Sequence, residues 1–258
     1  MSAIRLRILG KSPAWQDAGG ACSSYLIEDS GTAVVVDCGN GAFAKLRRYR
    51  DYSSVDAVVI SHLHADHFLD LVPYAYALSL SPRRERIGSR RPRLIVPPRA
   101  REAFRRVVGA WGNEELIESA FDLEEYAESS TPSVGSLRFA FREVPHFQQA
   151  FAISVESEDG PGRLVFGADC GPTNALAELA RDADLLLIEA TLQHPEEQGP
   201  RGHLTAAEAG EHGRVAGARR LVLTHISDEL DLAQARAAAE ATFAGRVDVA
   251  REGAVYEI

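Results

Sequence analysis

The stretch Ser61-His62-Leu63-His64-Ala65-Asp66-His67 constrains this chain more than any other. It gathers three of the eight histidines with an aspartate, directly after the apolar run Val55-Asp56-Ala57-Val58-Val59-Ile60. Imidazole and carboxylate together suit borderline divalent metals such as zinc. His62 and His64 lie two apart, so in an extended loop they project the same way and can grip one ion. Asp66 and His67 follow a turn and point elsewhere, which suits a second ion. One ion rarely recruits four neighbouring ligands, so the stretch reads as half of a two-metal site.

The rest of the chain bounds what such a site can serve. Strands and helices alternate through all 258 residues without a linker or low-complexity tract, and one domain over 1–258 is expected. No apolar run approaches the roughly 20 residues a membrane span needs. The start, Met1-Ser2-Ala3-Ile4-Arg5, carries charge inside its apolar run and does not read as a signal peptide. Cys22, Cys38 and Cys170 form no CxxC and no disulfide framework, which fits a reducing compartment, and a cytoplasmic protein is expected. Cys170 follows Asp169 and reads as a buried structural thiol. The net charge of -9 is a poor background for a surface that must attract nucleic acid. Basic charge is nevertheless concentrated, with ten arginines between Arg83 and Arg106 against Glu85 and Glu102. That segment reads either as a solvated face or as a substrate contact.

Alternation and turn residues predict strands over Ile4–Leu9, Tyr25–Glu28, Ala33–Val36 and Val55–Ile60, the second and third forming a hairpin. A largely apolar helix is expected over Phe68–Leu80, with Pro73 tolerated near its start. Residues 112–135 read as acidic and irregular, with a short strand near Phe121–Leu123. Strands are expected over Ser136–Val144, Phe151–Ser157, Arg163–Phe166, Asp184–Ile188 and Arg219–Leu223. A helix over His203–Ala216 carries a capping box of Thr205 and Glu208. Asp37, in the glycine-rich turn after Val36, could support a metal ligand or cap a turn.

Four polar residues sit just past the later strands: His146, Asp169, Glu189 and His225. Ligand sites gather beyond strand ends in open α/β sheets. His62-x-His64-x-Asp66-His67, then His146, Asp169 and His225 in that order, resembles the ordered motifs of the metallo-β-lactamase superfamily, and the likeness runs through essentially the whole chain. The resemblance implies an αββα sandwich of two mixed β-sheets with outer helices. It implies that His62, His64 and His146 hold one metal, that Asp66, His67 and His225 hold a second, and that Asp169 bridges both. Zinc is the expected metal, with manganese, cobalt or iron under different supply.

Glu189-Ala190-Thr191 and Gly202-His203-Leu204-Thr205 resemble the ribonuclease Z-like branch, in which a carboxylate and a histidine form a dyad. Glu189 would orient His203, and His203 would protonate the leaving alkoxide after attack by metal-bound hydroxide. With Asp66 these make the expected catalytic set. Transfer-RNA-maturing members of that branch carry a long basic arm, and none is legible here. Cyclic-nucleotide phosphodiesterases of the same branch need no arm. The expected function is hydrolysis of a 3′,5′-cyclic nucleotide or of an RNA 3′ end. The alternatives are a lactone, ester or thioester hydrolase on the same scaffold, and a non-catalytic metal-binding protein, which would have lost ligands that this chain retains. Homodimers are common in the branch. His194 and His212 lack such a context and read as surface residues.

Overall fold

Strands that are apolar on both faces need cover on both, and this chain supplies it with two sheets and two helical layers. The computed structural model describes residues 4–83, 88 and 90–258. Arg84 and Arg86, counted in the arginine segment, lie outside them.

The first sheet runs in the order β14 (Val255–Glu257), β1 (Arg5–Gly10), β2 (Ser24–Asp29), β3 (Thr32–Val36), β4 (Ala57–Val59), β5 (Arg93–Val96) and β6 (Asp122–Glu125). It is antiparallel from β14 to β3 and parallel from β3 to β6. The second runs β13 (Arg246–Val249), β12 (Arg220–Thr224), β11 (Leu185–Glu189), β10 (Arg163–Phe166), β9 (Ala150–Ser157), β8 (Leu137–Val144) and β7 (Ser133–Val134). It is parallel from β13 to β10 and antiparallel from there to β7. These are the two mixed sheets that the resemblance implied.

Period-two alternation divides each strand between two cores. In β3, Val34 and Val36 face the space between the sheets, where they join Phe139, Phe151 and Phe166. Ala33 and Val35 face outward onto α1 (Ala42–Tyr49) and α3 (Leu71–Leu80), in a core shared with α4 (Ala100–Gly109) and α5 (Leu116–Ala120). In β11, Leu185 and Leu187 point inward, while Leu186 and Ile188 meet α6 (Asn174–Leu179), α7 (Ala206–Ala216) and α8 (Leu232–Thr242). The result is an αββα sandwich.

The helix expected over Phe68–Leu80 is broken. A short helix α2 (Ala65–Phe68) ends, and α3 starts afresh at Leu71. Had the two been continuous, the Pro73 ring would have met the carbonyl four residues back, at Leu69. Instead the Asp70 N–H turns to the Cys38 carbonyl at 3.0 Å, which leaves Pro73 in the first turn of the new helix. Residues 112–135 are more ordered than the sequence suggested, since they contain α5 and β6. The Thr205–Glu208 capping box is present, but α7 begins at Ala206, so His203 lies in an extended lead-in. Among the described residues no helix is long and apolar enough to cross a membrane.

Phe139 is fully buried between the sheets. Phe139→Ala is expected to cost about 3–5 kcal/mol of unfolding free energy in urea denaturation, the usual cost of emptying an aromatic core position.

Candidate metal centre

The parallel strands end on one edge of the sandwich, and the polar residues gather there. Asp37 follows β3, the histidine stretch follows β4, Asp169 follows β10 by three residues, and His225 follows β12. Glu189 is the last residue of β11. The stretch also joins the two sheets: His62 forms an isolated bridge with Ala150, and the Phe151 N–H donates to the Ser61 carbonyl at 3.2 Å.

All seven expected ligands come together in two overlapping groups. His62, His64, His146 and Asp169 form one, and Asp66, His67, Asp169 and His225 form the other, each with donor atoms within 4.8 Å of one another. His64 Nδ1 faces His62 Nε2 at 3.2 Å and His146 Nε2 at 3.0 Å. One Asp169 oxygen lies 3.3 Å from both His67 Nε2 and His225 Nε2, and 3.8 Å from His62 Nε2. An Asp66 oxygen lies 3.2 Å from His225 Nε2.

Partners behind the cluster fix each ring. The His67 Nδ1–H donates to Asp37 at 2.7 Å, and the same carboxylate takes the Ser61 N–H at 2.7 Å and the Ser61 hydroxyl at 2.8 Å. This settles the open reading of Asp37: it orients His67. The His146 Nδ1–H donates to the Gly202 carbonyl at 2.8 Å, which turns Nε2 toward the cluster. The His225 Nδ1–H meets the Thr191 hydroxyl at 2.8 Å, and that hydroxyl donates to Glu189 at 2.6 Å.

The donor set fits divalent ions. His67 Nε2 and Asp169 Oδ1 are buried without a hydrogen-bond partner, an expense that a cation between them removes. Burial, reinforced by neighbouring histidines, lowers the pKa of His62 and His64; burial also lowers that of His146. The lone pairs of these three rings therefore remain free for a metal. Burial works to raise Asp66 and Asp169, yet the surrounding histidines hold both carboxyls below the usual carboxylate range.

Glu189 and His203 adjoin the second group. The fully buried Glu189 carboxylate accepts four bonds besides that from Thr191 Oγ1: from the Cys170 N–H at 2.9 Å, the His203 Nδ1–H at 2.9 Å, the Leu204 N–H at 3.1 Å and the Thr191 N–H at 3.3 Å. Burial pulls the His203 imidazole down, but the hydrogen bond and charge of Glu189 outweigh it and raise its pKa to about 9. The His203 and His225 rings stack with centroids 5.7 Å apart.

His194 is exposed, as expected. His212 is not: it is buried, its Nε2 accepts the Thr173 N–H at 3.0 Å, and its Nδ1–H donates to the Glu208 carbonyl at 2.8 Å. The signal was present, because His212 shares a helix face with Ala209 and Ala216. Cys170 is a buried free thiol, as expected. Phe147 was missed. The residue is 55% exposed, and its ring lies beside His146 and His203 with centroids at 5.2 and 5.8 Å. Gly202 makes room for it, since a Cβ there would lie 2.4 Å from the Phe147 ring.

A family model described as a beta-lactamase superfamily domain matches residues 32–226, and the chain belongs to that superfamily. Rv1339 of Mycobacterium tuberculosis is 32% identical over 246 residues, which covers 95% of this chain and 88% of that protein. Ribonuclease Z of Myxococcus xanthus is 28% identical over 312 residues, covering 100% and 99%. The crystal structure of the metallo-beta-lactamase fold protein YhfI from Bacillus subtilis matches with a TM-score of 0.88 at 24% identity, over 99% of this chain and 100% of that one. With these relatives the chain is a metal-dependent hydrolase.

Asp37→Ala removes the acceptor that orients His67. Zinc affinity is expected to fall roughly 10–100-fold in competition with a chromophoric chelator, and unchanged affinity would show that the ring is held without it.

Proposed function

We propose that the chain is a two-metal phosphodiesterase acting on a 3′,5′-cyclic nucleotide or an RNA 3′ end. In this reading His62, His64 and His146 hold one ion, Asp66, His67 and His225 hold the other, and Asp169 reaches both. Zinc suits this histidine-rich set, and manganese or iron are accepted by the same ligand types. Bound there, two dications supply Lewis acidity that activates water and polarises a phosphoryl oxygen.

The observation that carries the phosphodiester reading is the hydrogen bond from His203 Nδ1 to Glu189. With Nδ1–H committed to the carboxylate, Nε2 is the nitrogen left to carry a proton outward. His203 is only partly buried, whereas Glu189 is sealed behind it. The pair thus presents a proton at one side of the cluster and holds the countercharge away from substrate. An alkoxide leaving from a phosphodiester is a strong base and needs such a donor. A thioester expels a thiolate, which does not; an ester or lactone expels an alkoxide too, and turnover of bis-p-nitrophenyl phosphate against p-nitrophenyl acetate separates those from a phosphodiester. Glu189 also acts on His225 through the Thr191 hydroxyl, so one carboxylate positions a metal ligand and the proton donor together.

Substrate size follows from what surrounds the site. Among the described residues between His67 and His146, the chain folds into α3, β5, α4, α5, β6, β7 and β8. No long arm stands out among them to clamp an RNA. That favours a small phosphodiester or the very end of an RNA. Direct competition between 3′,5′-cyclic AMP and a 3′-extended precursor transfer RNA separates the two, and turnover of neither would overturn the proposal.

His203→Ala tests the proton donor. It is expected to keep the metal content and to slow a substrate with an alkyl leaving group by roughly 10²–10⁴-fold. The loss on bis-p-nitrophenyl phosphate is expected to be smaller, because p-nitrophenolate leaves without a proton. Equal losses on both substrates would remove His203 from that role.

A further inference from the structure

The described arginines of the 83–106 segment divide by partner. Arg83 pairs with Asp51 at 3.0 Å, Arg93 with Glu124 at 2.6 Å, Arg90 with Asp56 and Arg91 with Asp122. Arg101 and Arg105 share Glu118. Arg99 and Arg106 have no acidic partner among the described residues. Glu125, beside Arg99, is engaged by the backbone N–H groups of Arg99 and Arg101, at 3.1 and 3.0 Å.

The two unpaired arginines line one cavity of about 570 Å³. Its wall includes Leu63, between His62 and His64, and Phe68, directly after His67. Gln148, two residues beyond His146, also lines it. Among the described residues no aspartate or glutamate lines the cavity. The cavity therefore adjoins the chain segments that carry the histidine cluster and is lined by two arginines that have no acidic partner among the described residues, while Arg106 also lines a neighbouring cavity with Glu102 and Glu114.

We propose that this cavity is a subsite for a second phosphate group of the substrate, separate from the phosphodiester at the histidine cluster. The inference rests on the phosphodiesterase reading and narrows it. A guanidinium group pairs bidentately with phosphate. The segment's other described arginines are neutralised by acids of the chain itself, and the two exceptions line the same cavity. A 3′,5′-cyclic mononucleotide has one phosphate and leaves the subsite empty. A nucleotide or RNA end with at least two phosphates fills both places.

The test is equilibrium binding by titration calorimetry, with adenosine 3′,5′-bisphosphate set against the 3′- and 5′-monophosphates. The wild-type protein is expected to prefer the bisphosphate by at least about tenfold, the usual value of one hydrogen bond to a charged group. The R99A/R106A variant is expected to lose that preference and keep its affinity for the monophosphates. R99K/R106K, which keeps the charge and lacks the fork, should retain part of it. A parallel titration of ApApA against ApA asks the same of a neighbouring diester, and a preference in either series that the double variant abolishes supports the subsite. No preference in either series, or a double variant that weakens one-phosphate and two-phosphate ligands alike, overturns it. Bis-p-nitrophenyl phosphate keeps the two readings apart: if the wild type fails to hydrolyse it, the phosphodiesterase reading fails while the binding ratio still reports on the cavity.

Discussion

Two buried carboxylates hold this site together, one from each sheet. Asp37 at the end of β3 takes three donors, two from Ser61 and one from His67. Glu189 at the end of β11 takes donors from Cys170, Thr191, His203 and Leu204. A buried charge costs several kcal/mol unless its lone pairs are filled, so each carboxylate enforces the positions of the groups around it. Asp37 thereby fixes the histidine stretch against the first sheet. Glu189 fixes the Asp169 loop, the His225 ring and His203 against the second. Neither carboxylate need touch a metal to decide where the candidate ligands stand.

The backbone around these groups is tight. Asp37, Ala168 and His225 all have positive φ without being glycine, at 55°, 53° and 47°. Each lies just beyond a parallel strand, where the chain turns sharply to aim a side chain along the sandwich edge. Left-handed backbone of this kind is unfavourable for residues with a Cβ and persists where the surroundings over-determine it. Gly39 shows the same crowding from the other side. A Cβ there would lie 1.8 Å from the Asp66 carbonyl, so only glycine lets the turn after Asp37 pack against α2.

The sequence makes the candidate ligands legible because they sit at the ends of apolar strands, and chemistry and position agree there. It carries less about Asp37, since an aspartate in a glycine-rich turn has a local role available and only the fold brings His67 onto it. The break between α2 and α3 was signalled by Pro73, but its place depends on the Cys38 carbonyl, which belongs to the turn after β3. His212 was misread because a histidine far in sequence from any ligand looks like surface until its helix face is counted. The arginine segment could not be resolved from composition at all. Its acids lie far along the chain, at Asp51, Asp56, Glu118, Asp122 and Glu124, and pairing separates the neutralised arginines from the free ones.

Because the candidate ligands come from both sheets, the distance between the sheets sets the spacing within each group. His62, His64, Asp66 and His67 follow β4 of the first sheet, while His146, Asp169 and His225 follow strands of the second. What fixes that distance is the inner core and a few polar ties across it. Tyr126 stacks on Phe141 of the second sheet with centroids 3.7 Å apart and donates to the Ile60 carbonyl of the first at 2.9 Å. Tyr25 of β2 meets Thr224 of β12 at 2.8 Å, one residue before His225. Close-packed interiors transmit small changes in side-chain volume instead of absorbing them. A cluster that needs donor atoms held within a few ångströms therefore depends on Phe141 and Tyr25 as well as on its own histidines, although neither contributes a donor atom to the cluster.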